Sequence, residues 1–126
     1  MISTFRLATV TLLPPEQAKK IKGAFTKALS AEFKSHALRA TINEHMLSGD
    51  TESDCLPHEI FKFQTHHIKP VSLGGDNSFN NMAWVHPVLH QWIHRHIDEE
   101  IRGLNVGDSR SIYLPIKAGL IWGLGE

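Results

Sequence analysis

Cysteine is almost absent from this sequence, with Cys55 as the only one in 126 residues. A single thiol excludes an internal disulfide and a zinc site built from several cysteines. Long apolar runs are also missing, and no stretch approaches the roughly 20 residues of a membrane-spanning helix. Apolar side chains open the chain, but Thr9 and Thr11 interrupt them and no A-x-A-like cleavage site follows. We therefore expect a strand rather than a signal peptide, no membrane partner, and a protein that is cytoplasmic or delivered to a target cell by another route.

An excess of charge of either sign is missing as well, because 13 Lys and Arg balance 13 Asp and Glu. This balance gives no global indication of a nucleic-acid partner. The charges are unevenly distributed, since residues 1–49 carry seven basic and three acidic side chains and residues 50–126 carry six and ten. The first part is thus about +4 and the second about −4. The lysines between positions 19 and 34 form a candidate surface for a phosphate backbone, although a charged helix face is usually only solvated.

Length and hydrophobic periodicity predict an α+β fold in a single domain of residues 1–126. Residues 3–12 alternate apolar and polar side chains, which predicts a first strand that Pro14 and Pro15 end. Helical spacing from Pro15 to Phe33 predicts a helix, and the spacing continues to about Leu47 as a second helix or a bent extension. These segments would form an amino-terminal helical layer.

The second half predicts two strands followed by a helix, over about residues 60–103. Residues 60–68 read as a strand, and residues 82–86 follow as a second one after a loop rich in Pro, Gly, Ser and Asn. Pro87 suits the first position of a helix with His86 near its cap, and Gly103 suits a left-handed carboxyl-terminal cap. Residues 109–124 suggest one or two further short strands.

Histidine is concentrated in this half, since six of the nine lie between residues 63 and 98. His90 and His94 are four residues apart, so their rings share one helix face within reach of one ion. His66 and His67 are consecutive and point to opposite sides of a strand, so one can complete a three-histidine site while the other projects away. Three imidazoles with an open fourth position are typical of a catalytic metal site, and they suit zinc, nickel, cobalt or copper better than calcium or magnesium.

A metalloprotease would also place two histidines on a helix, as H-E-x-x-H with the glutamate as base. Here the stretch reads HQWIH, and Gln91 cannot take up a proton, so this alternative fails. Histidine is the side chain whose charge ordinarily changes near neutral pH, which leaves His67 as the candidate general base.

The segment from His66 to His94 resembles the HNH, or ββα-metal, nucleases, and it is especially similar to the DNase domains of colicins and S-type pyocins. The resemblance is carried by HHIKPVSLGGDN and NNMAWVHPVLHQWIH. These stretches contain the double histidine, Lys69-Pro70, Ser72, Gly74-Gly75, and Asn81 nine residues before His90. One departure is Gln64, which stands where the family has an acidic residue two places before the double histidine. The resemblance therefore implies that one supporting charge contact is missing.

Carried over to this sequence, the resemblance implies that His66, His90 and His94 hold one divalent metal ion and that His67 is the general base. Asn81 would brace the loop and keep His67 aimed. The implied activity is endonucleolytic hydrolysis of DNA with little sequence specificity, leaving a 5′-phosphate and a 3′-hydroxyl. Zinc or nickel is favoured by the ligands, and magnesium or manganese could also serve activity. Beyond the metal ligands and base, Lys69 and Arg95 are candidates for phosphate contacts, which give affinity without sequence information.

Several biological settings stay open at this stage. A bacteriocin-like toxin or delivered effector would require an immunity protein in the producing cell. A phage or restriction-type HNH nuclease would depend on other subunits for targeting. A noncatalytic, metal-stapled nucleic-acid-binding module would bind DNA with a strong salt dependence and would not nick it. An RNase would share the same active-site residues.

Overall fold

The structure is a computed structural model that describes residues 2–47 and 59–125, with side chains described for residues 2–44 and 59–125. Cys55 and the polar segment 48–58 lie outside the described residues. In chain order the helices and strands are β1 (Thr4–Thr11), α1 (Pro15–Gly23), α2 (Lys27–Leu47), β2 (Gln64–His67), β3 (Met82–Val85), α3 (Pro87–Glu100), β4 (Ser109–Ile116) and β5 (Ile121–Trp122). The expected mixture of helix and sheet in one small domain is confirmed. None of the helices in these described ranges is long and apolar enough to cross a membrane.

The strands form two small sheets. In the first, β1 and β4 pair antiparallel over their whole length, from Thr4 opposite Ile116 to Thr11 opposite Ser109. In the second, β3 is central, antiparallel to β2 and parallel to β5. The predicted first strand is confirmed, and both of the suggested late strands are present. The β1 alternation that indicated a strand places Val10 in the core and leaves Leu7 exposed.

The amino-terminal helical layer is two helices, so the prediction of one helix from Pro15 to Phe33 is wrong. The break falls at residues 24–26, where α1 ends and the chain turns before α2. Thr26 supplies the reason, because its hydroxyl oxygen accepts a hydrogen bond from the Leu29 backbone N–H at 3.1 Å. That contact is the usual one between an N-cap residue and the third residue of a helix. The break places Phe25 at the junction.

The predicted strand of residues 60–68 is also partly wrong, because only Gln64–His67 is extended. Ile60–Lys62 is instead one turn of 3₁₀ helix. This turn buries both Ile60 and Phe63, which are three residues apart and so lie on the same side of a 3₁₀ turn. Strand alternation would have put these two side chains on opposite faces.

The strand-to-helix junction after β3 agrees with the prediction. His86 is the N-cap of α3, and its Nδ1 accepts a hydrogen bond from the Val88 backbone N–H at 3.0 Å. Pro87 occupies the first helical position. The helix ends at Glu100, three residues earlier than expected, and Gly103 follows with the left-handed φ of 80° that favours glycine.

Two buried clusters hold these elements together. The larger one packs the inner side of α3 between the two sheets, through Val10, Leu73, Ala83, Val85, Leu89, Ile93, Ile97, Ile112, Leu114 and Trp122 among others. The smaller one packs α2 on the opposite side of β3, around Phe33, Phe63 and Trp84. Burying each large apolar side chain contributes about 1.5–3 kcal/mol. Because α3 is packed along one whole face, the adjacent face, which carries His90 and His94, has a fixed position relative to β2.

Candidate metal centre

Three histidines from two elements meet at one point. His66 comes from β2, and His90 and His94 come from successive turns of α3. One nitrogen from each ring lies within 4.8 Å of the other two. The ring centroids of His90 and His94 are 4.5 Å apart, and that of His66 lies 5.0 Å from His90 and 5.8 Å from His94. The cluster could therefore hold one metal ion.

His66 is the buried member of the cluster, with 1% of its surface exposed. Its Nε2 is buried and has no hydrogen-bond partner among the described residues. Burial lowers the pKa of His66 well below its usual range, and the neighbouring His90, His94 and His67 lower it further. A buried polar atom without a partner is costly, at about 1–3 kcal/mol, and a metal bond to this nitrogen would remove that penalty. The residues present thus fit a metal ion.

His90 is oriented by two contacts. Its Nδ1 lies 2.6 Å from Gln64 Oε1, and its Nε2 lies 2.9 Å from His94 Nε2. Because an amide oxygen can only accept, Nδ1 donates and Nε2 keeps a lone pair that points into the cluster. Burial lowers the pKa of His90 to about 4, with a further contribution from His94. Both shifted rings are therefore neutral at pH 7, which is the state that binds metal.

The spacing of the ring nitrogens can be compared with the spacing that a bound ion would require. Zinc–nitrogen bonds of about 2.0–2.1 Å in tetrahedral geometry put the nitrogens about 3.3 Å apart. The His90 and His94 nitrogens are 2.9 Å apart, and all three ligand nitrogens lie within 4.8 Å of one another. Three histidines leave the fourth position of a tetrahedral ion open to solvent or a substrate.

His67 lies next to the cluster and takes no part in it. Its Nε2 is 2.9 Å from Asn77 Oδ1, and the ring of Phe25 packs edge-on against it with centroids 5.0 Å apart. The residue is half-buried, and both His67 and the three clustered histidines border one cavity of about 380 Å³. A histidine that is free of the cluster therefore faces the same space as the cluster.

Asn81 holds together the long loop between β2 and β3. Its Oδ1 accepts from the Lys69 backbone N–H at 2.9 Å, and its Nδ2 donates to the carbonyls of Lys69 and Asp76, each at 2.9 Å. Gly75 lies against the same bonds, since a Cβ there would come within 1.8 Å of the Lys69 carbonyl oxygen. Asn81 thus braces the loop, whereas the side-chain hydrogen bond that reaches His67 comes from Asn77. Sequence reasoning missed Asn77.

The candidate phosphate-contacting residues Lys69 and Arg95 do not line the cavity. Among the described residues that line the cavity, the lysine is Lys22 at the end of α1, and neither Lys69 nor Arg95 is present. The Lys69 side chain instead lies beside Gly74, where a Cβ would be 3.6 Å from Lys69 Cε. Arg95 is exposed on α3 and is not among the residues that line the cavity. One acid, Asp98, lines the cavity one turn beyond His94.

Sequence reasoning also missed the roles of Gln64 and Lys22 in the site, although the sequence contains a signal for each. Gln64 is two residues before His66 and so lies on the same side of β2, facing α3. Lys22 belongs to the lysine-rich segment, but the charge pattern does not indicate which lysine lines the cavity. Comparison of the chain with family models, with curated proteins and with solved structures found no match.

Proposed function

We propose that the protein is a metal-dependent endonuclease of the HNH type that hydrolyses phosphodiester bonds of DNA with little sequence specificity. One observation supports the proposal: the buried Nε2 of His66, which has no hydrogen-bond partner among the described residues, lies in a three-histidine cluster that could hold a metal ion, and His67, outside that cluster, borders the same cavity. A metal site and an adjacent unligated histidine are the two parts that hydrolysis by an activated water requires. The sequence resemblance of residues 66–94 is in accord with this reading.

The chain supplies a base, a cation and an open coordination position. His67 takes a proton from water, whose oxygen bonds to phosphorus while the bond from phosphorus to the 3′ oxygen breaks. The departing 3′ oxygen takes a proton from solvent. Lys22 offers a positive charge to a phosphate oxygen in the cavity. A divalent ion on His66, His90 and His94 would supply Lewis-acid stabilisation of the negative charge that develops.

The charges around the cavity indicate where a phosphate group would bind. Asp98 opposes a phosphate at its end of the cavity, so the anion is best placed between Lys22 and the three histidines. Along α2, three basic side chains outnumber the two acids Glu32 and Glu44, and α3 ends in the acids Asp98, Glu99 and Glu100. DNA is therefore expected on the side of the amino-terminal helices. Contacts of this kind are with the backbone, which is the basis for proposing little sequence specificity.

The test is conversion of supercoiled plasmid to nicked and linear forms by purified protein. Reactions with EDTA are compared with reactions containing added zinc, nickel, manganese or magnesium. His67→Ala should bind metal and lose cleavage, and His90→Ala should lose both. The matched control is His36→Ala, because His36 is an exposed histidine on α2 that does not line the cavity.

The outcomes separate the proposed activity from the alternatives. Metal-dependent nicking that His67→Ala lacks and His36→Ala retains supports the nuclease. DNA binding without nicking under any metal would favour a noncatalytic nucleic-acid-binding module instead. Cleavage of RNA with DNA left intact would identify RNA as the substrate. Parallel reactions on a single-stranded RNA and a hairpin RNA test this alternative.

A further inference from the structure

We propose that Asn77 is a positioning residue that fixes the ring of His67 with its Nε2 protonated and its Nδ1 free to accept a proton. The inference rests on the proposed nuclease function and deepens it, since it names the atom that acts as the base. It also assigns a role to α1, which lies outside the segment that carries the sequence resemblance.

The argument starts from a backbone carbonyl, whose hydrogen-bonding character is unambiguous. The Ile21 carbonyl oxygen can only accept, and Asn77 Nδ2 donates to it at 2.9 Å. This contact determines which end of the amide is nitrogen, so the atom 2.9 Å from His67 Nε2 is Asn77 Oδ1. An amide oxygen also only accepts, and His67 Nε2 must therefore be the donor.

The tautomer of His67 follows from this chain of hydrogen bonds. A neutral imidazole carries one ring proton, and the bond to Asn77 keeps it on Nε2. The lone pair is then on Nδ1, at the opposite position in the ring. After Nδ1 takes a proton from water, Nε2–H still donates to Asn77, so the same hydrogen bond is kept in both charge states.

Asn77 is anchored to a backbone carbonyl at the end of a helix. Ile21 is in the last turn of α1, where carbonyl groups lack partners within the regular helix. Its oxygen has two lone pairs, and it accepts from the Ala24 backbone N–H at 3.2 Å as well as from Asn77. Phe25, just beyond, packs edge-on against the His67 ring. The turn between α1 and α2 thus restrains His67 both by a hydrogen bond through Asn77 and by direct packing.

The variants are chosen to separate positioning from general stability. Asn77→Ala removes the acceptor for His67 and the donor for Ile21. Asn77→Asp keeps an oxygen that can accept from His67 Nε2–H, loses the donor for Ile21, and adds a negative charge beside His67. Asn80→Ala is the matched control, since Asn80 is an exposed asparagine of the same loop.

Two quantities are measured on the full chain loaded with zinc: steady-state nicking of a DNA duplex, and the imidazole ¹H–¹⁵N spectrum of His67. We expect Asn77→Ala to lower kcat by about 10- to 100-fold with KM nearly unchanged, by analogy with the loss of activity when a group that orients a metal ligand is removed. It should also lose the slowly exchanging Nε2–H signal. Asn77→Asp should keep that signal and a kcat nearer to wild type, and Asn80→Ala should match wild type.

The results that overturn the inference are distinct from those that overturn the nuclease. Wild-type kcat in Asn77→Ala, or a His67 ring that carries its proton on Nδ1, refutes the role of Asn77 and leaves the nuclease standing. Asn77→Asp that loses the Nε2–H signal as completely as Asn77→Ala also refutes it, because Asn77 would then only tie the loop to α1. If the wild-type protein fails to nick DNA with every metal tested, the proposed function is refuted. The spectrum of His67 still decides whether Asn77 sets its tautomer.

Discussion

Gln64 and His90 face each other from β2 and α3, with Gln64 Oε1 2.6 Å from His90 Nδ1. The contact joins the two elements that supply the three clustered histidines, and it directs His90 Nε2 toward His94. Metal-binding histidines usually donate their second nitrogen to an oxygen in this way, which sets the ring orientation. Gln64 thus provides a hydrogen bond at the position where the sequence resemblance implied that a supporting charge contact is missing, and it does so without adding a negative charge.

Replacing Gln64 should weaken metal binding without unfolding the protein. Gln64→Leu removes the acceptor, so His90 can rotate and can place its proton on either nitrogen. We expect zinc affinity to fall about 10- to 100-fold, as is usual when a group supporting a ligand is removed. Competition with a chromophoric chelator measures the affinity. Gln91→Leu is the control, because Gln91 is an exposed glutamine on α3; equal zinc affinity in wild type and Gln64→Leu would contradict the prediction.

Acid should destabilise the protein when EDTA keeps it free of metal. The pKa values of His66 and His90 are lowered in the folded state, that of His90 to about 4, chiefly by burial. Unfolded histidines titrate near 6.5, so below about pH 6.5 the unfolded chain binds protons that the folded chain excludes. The free energy of unfolding therefore falls as the pH falls.

The measurement is urea unfolding of the EDTA-treated protein at several values between pH 7 and pH 5, above the range in which most carboxylates titrate. His66→Leu should flatten the dependence, since it removes the more buried of the two groups. His36→Ala, which alters an exposed histidine, should leave the slope as it is in wild type. A free energy of unfolding that stays constant across this range would refute the assignment of lowered pKa values.

The histidine cluster was predictable from sequence because its determinants are local. Four-residue spacing places His90 and His94 on one helix face, and alternation separates His66 from His67 in a strand. The junction of His86 and Pro87 is equally local, since a capping side chain and a residue without an N–H both act within one turn. None of these features depends on tertiary packing, so each can be predicted from the local sequence.

Long-range pairing could not be predicted in the same way. Alternation indicated that residues 3–12 form a strand, but it carries no information on a partner about 100 residues away, and the pairing of β1 with β4 follows from burial of Val10 with Ile112 and Leu114. The strand β5 has two residues, too few for a periodic signal. Asn77 is likewise invisible locally, because its significance depends on the Ile21 carbonyl, 56 positions earlier in the chain.

Gly75 should tolerate no side chain, and the consequence should be local to the loop that carries Asn77 and Asn81. A Cβ at this position would lie 1.8 Å from the Lys69 carbonyl oxygen and 2.9 Å from Asn81 Nδ2. Relief requires the backbone to move and breaks the hydrogen bonds of Asn81. We expect Gly75→Ala to lower the free energy of unfolding by about 1–3 kcal/mol or more, the range for forcing extra volume into a packed site.

Thermal and urea unfolding of Gly75→Ala measure this loss. The control is Gly123→Ala, since a Cβ at Gly123 would meet no described atom within 4 Å. Equal stability of Gly75→Ala and wild type would show that the loop has room that the structure does not provide. Cleavage by Gly75→Ala should fall as well, because His67 and Asn77 flank the displaced segment.

Lys22 should govern DNA binding more than the chemical step. It is the lysine that borders the cavity with the histidines, and a phosphate placed between them lies within reach of its charge. Removing one phosphate contact from B-DNA binding reduces the dependence of log K on log salt by about 0.9 and weakens binding to all sequences equally. Lys22→Ala should therefore raise KM, with a smaller effect on kcat, and lower the salt slope by about one.

Lys20→Ala provides the comparison that isolates this effect. Lys20 is an exposed lysine of the same helix and does not line the cavity, so the two variants change the net charge equally. If the general positive charge of the amino-terminal helices attracted DNA, both variants would raise KM and lower the salt slope to the same extent. A specific contact at the cavity predicts that Lys22→Ala does so and Lys20→Ala remains near wild type, and the salt dependence of KM for the three proteins distinguishes the two cases.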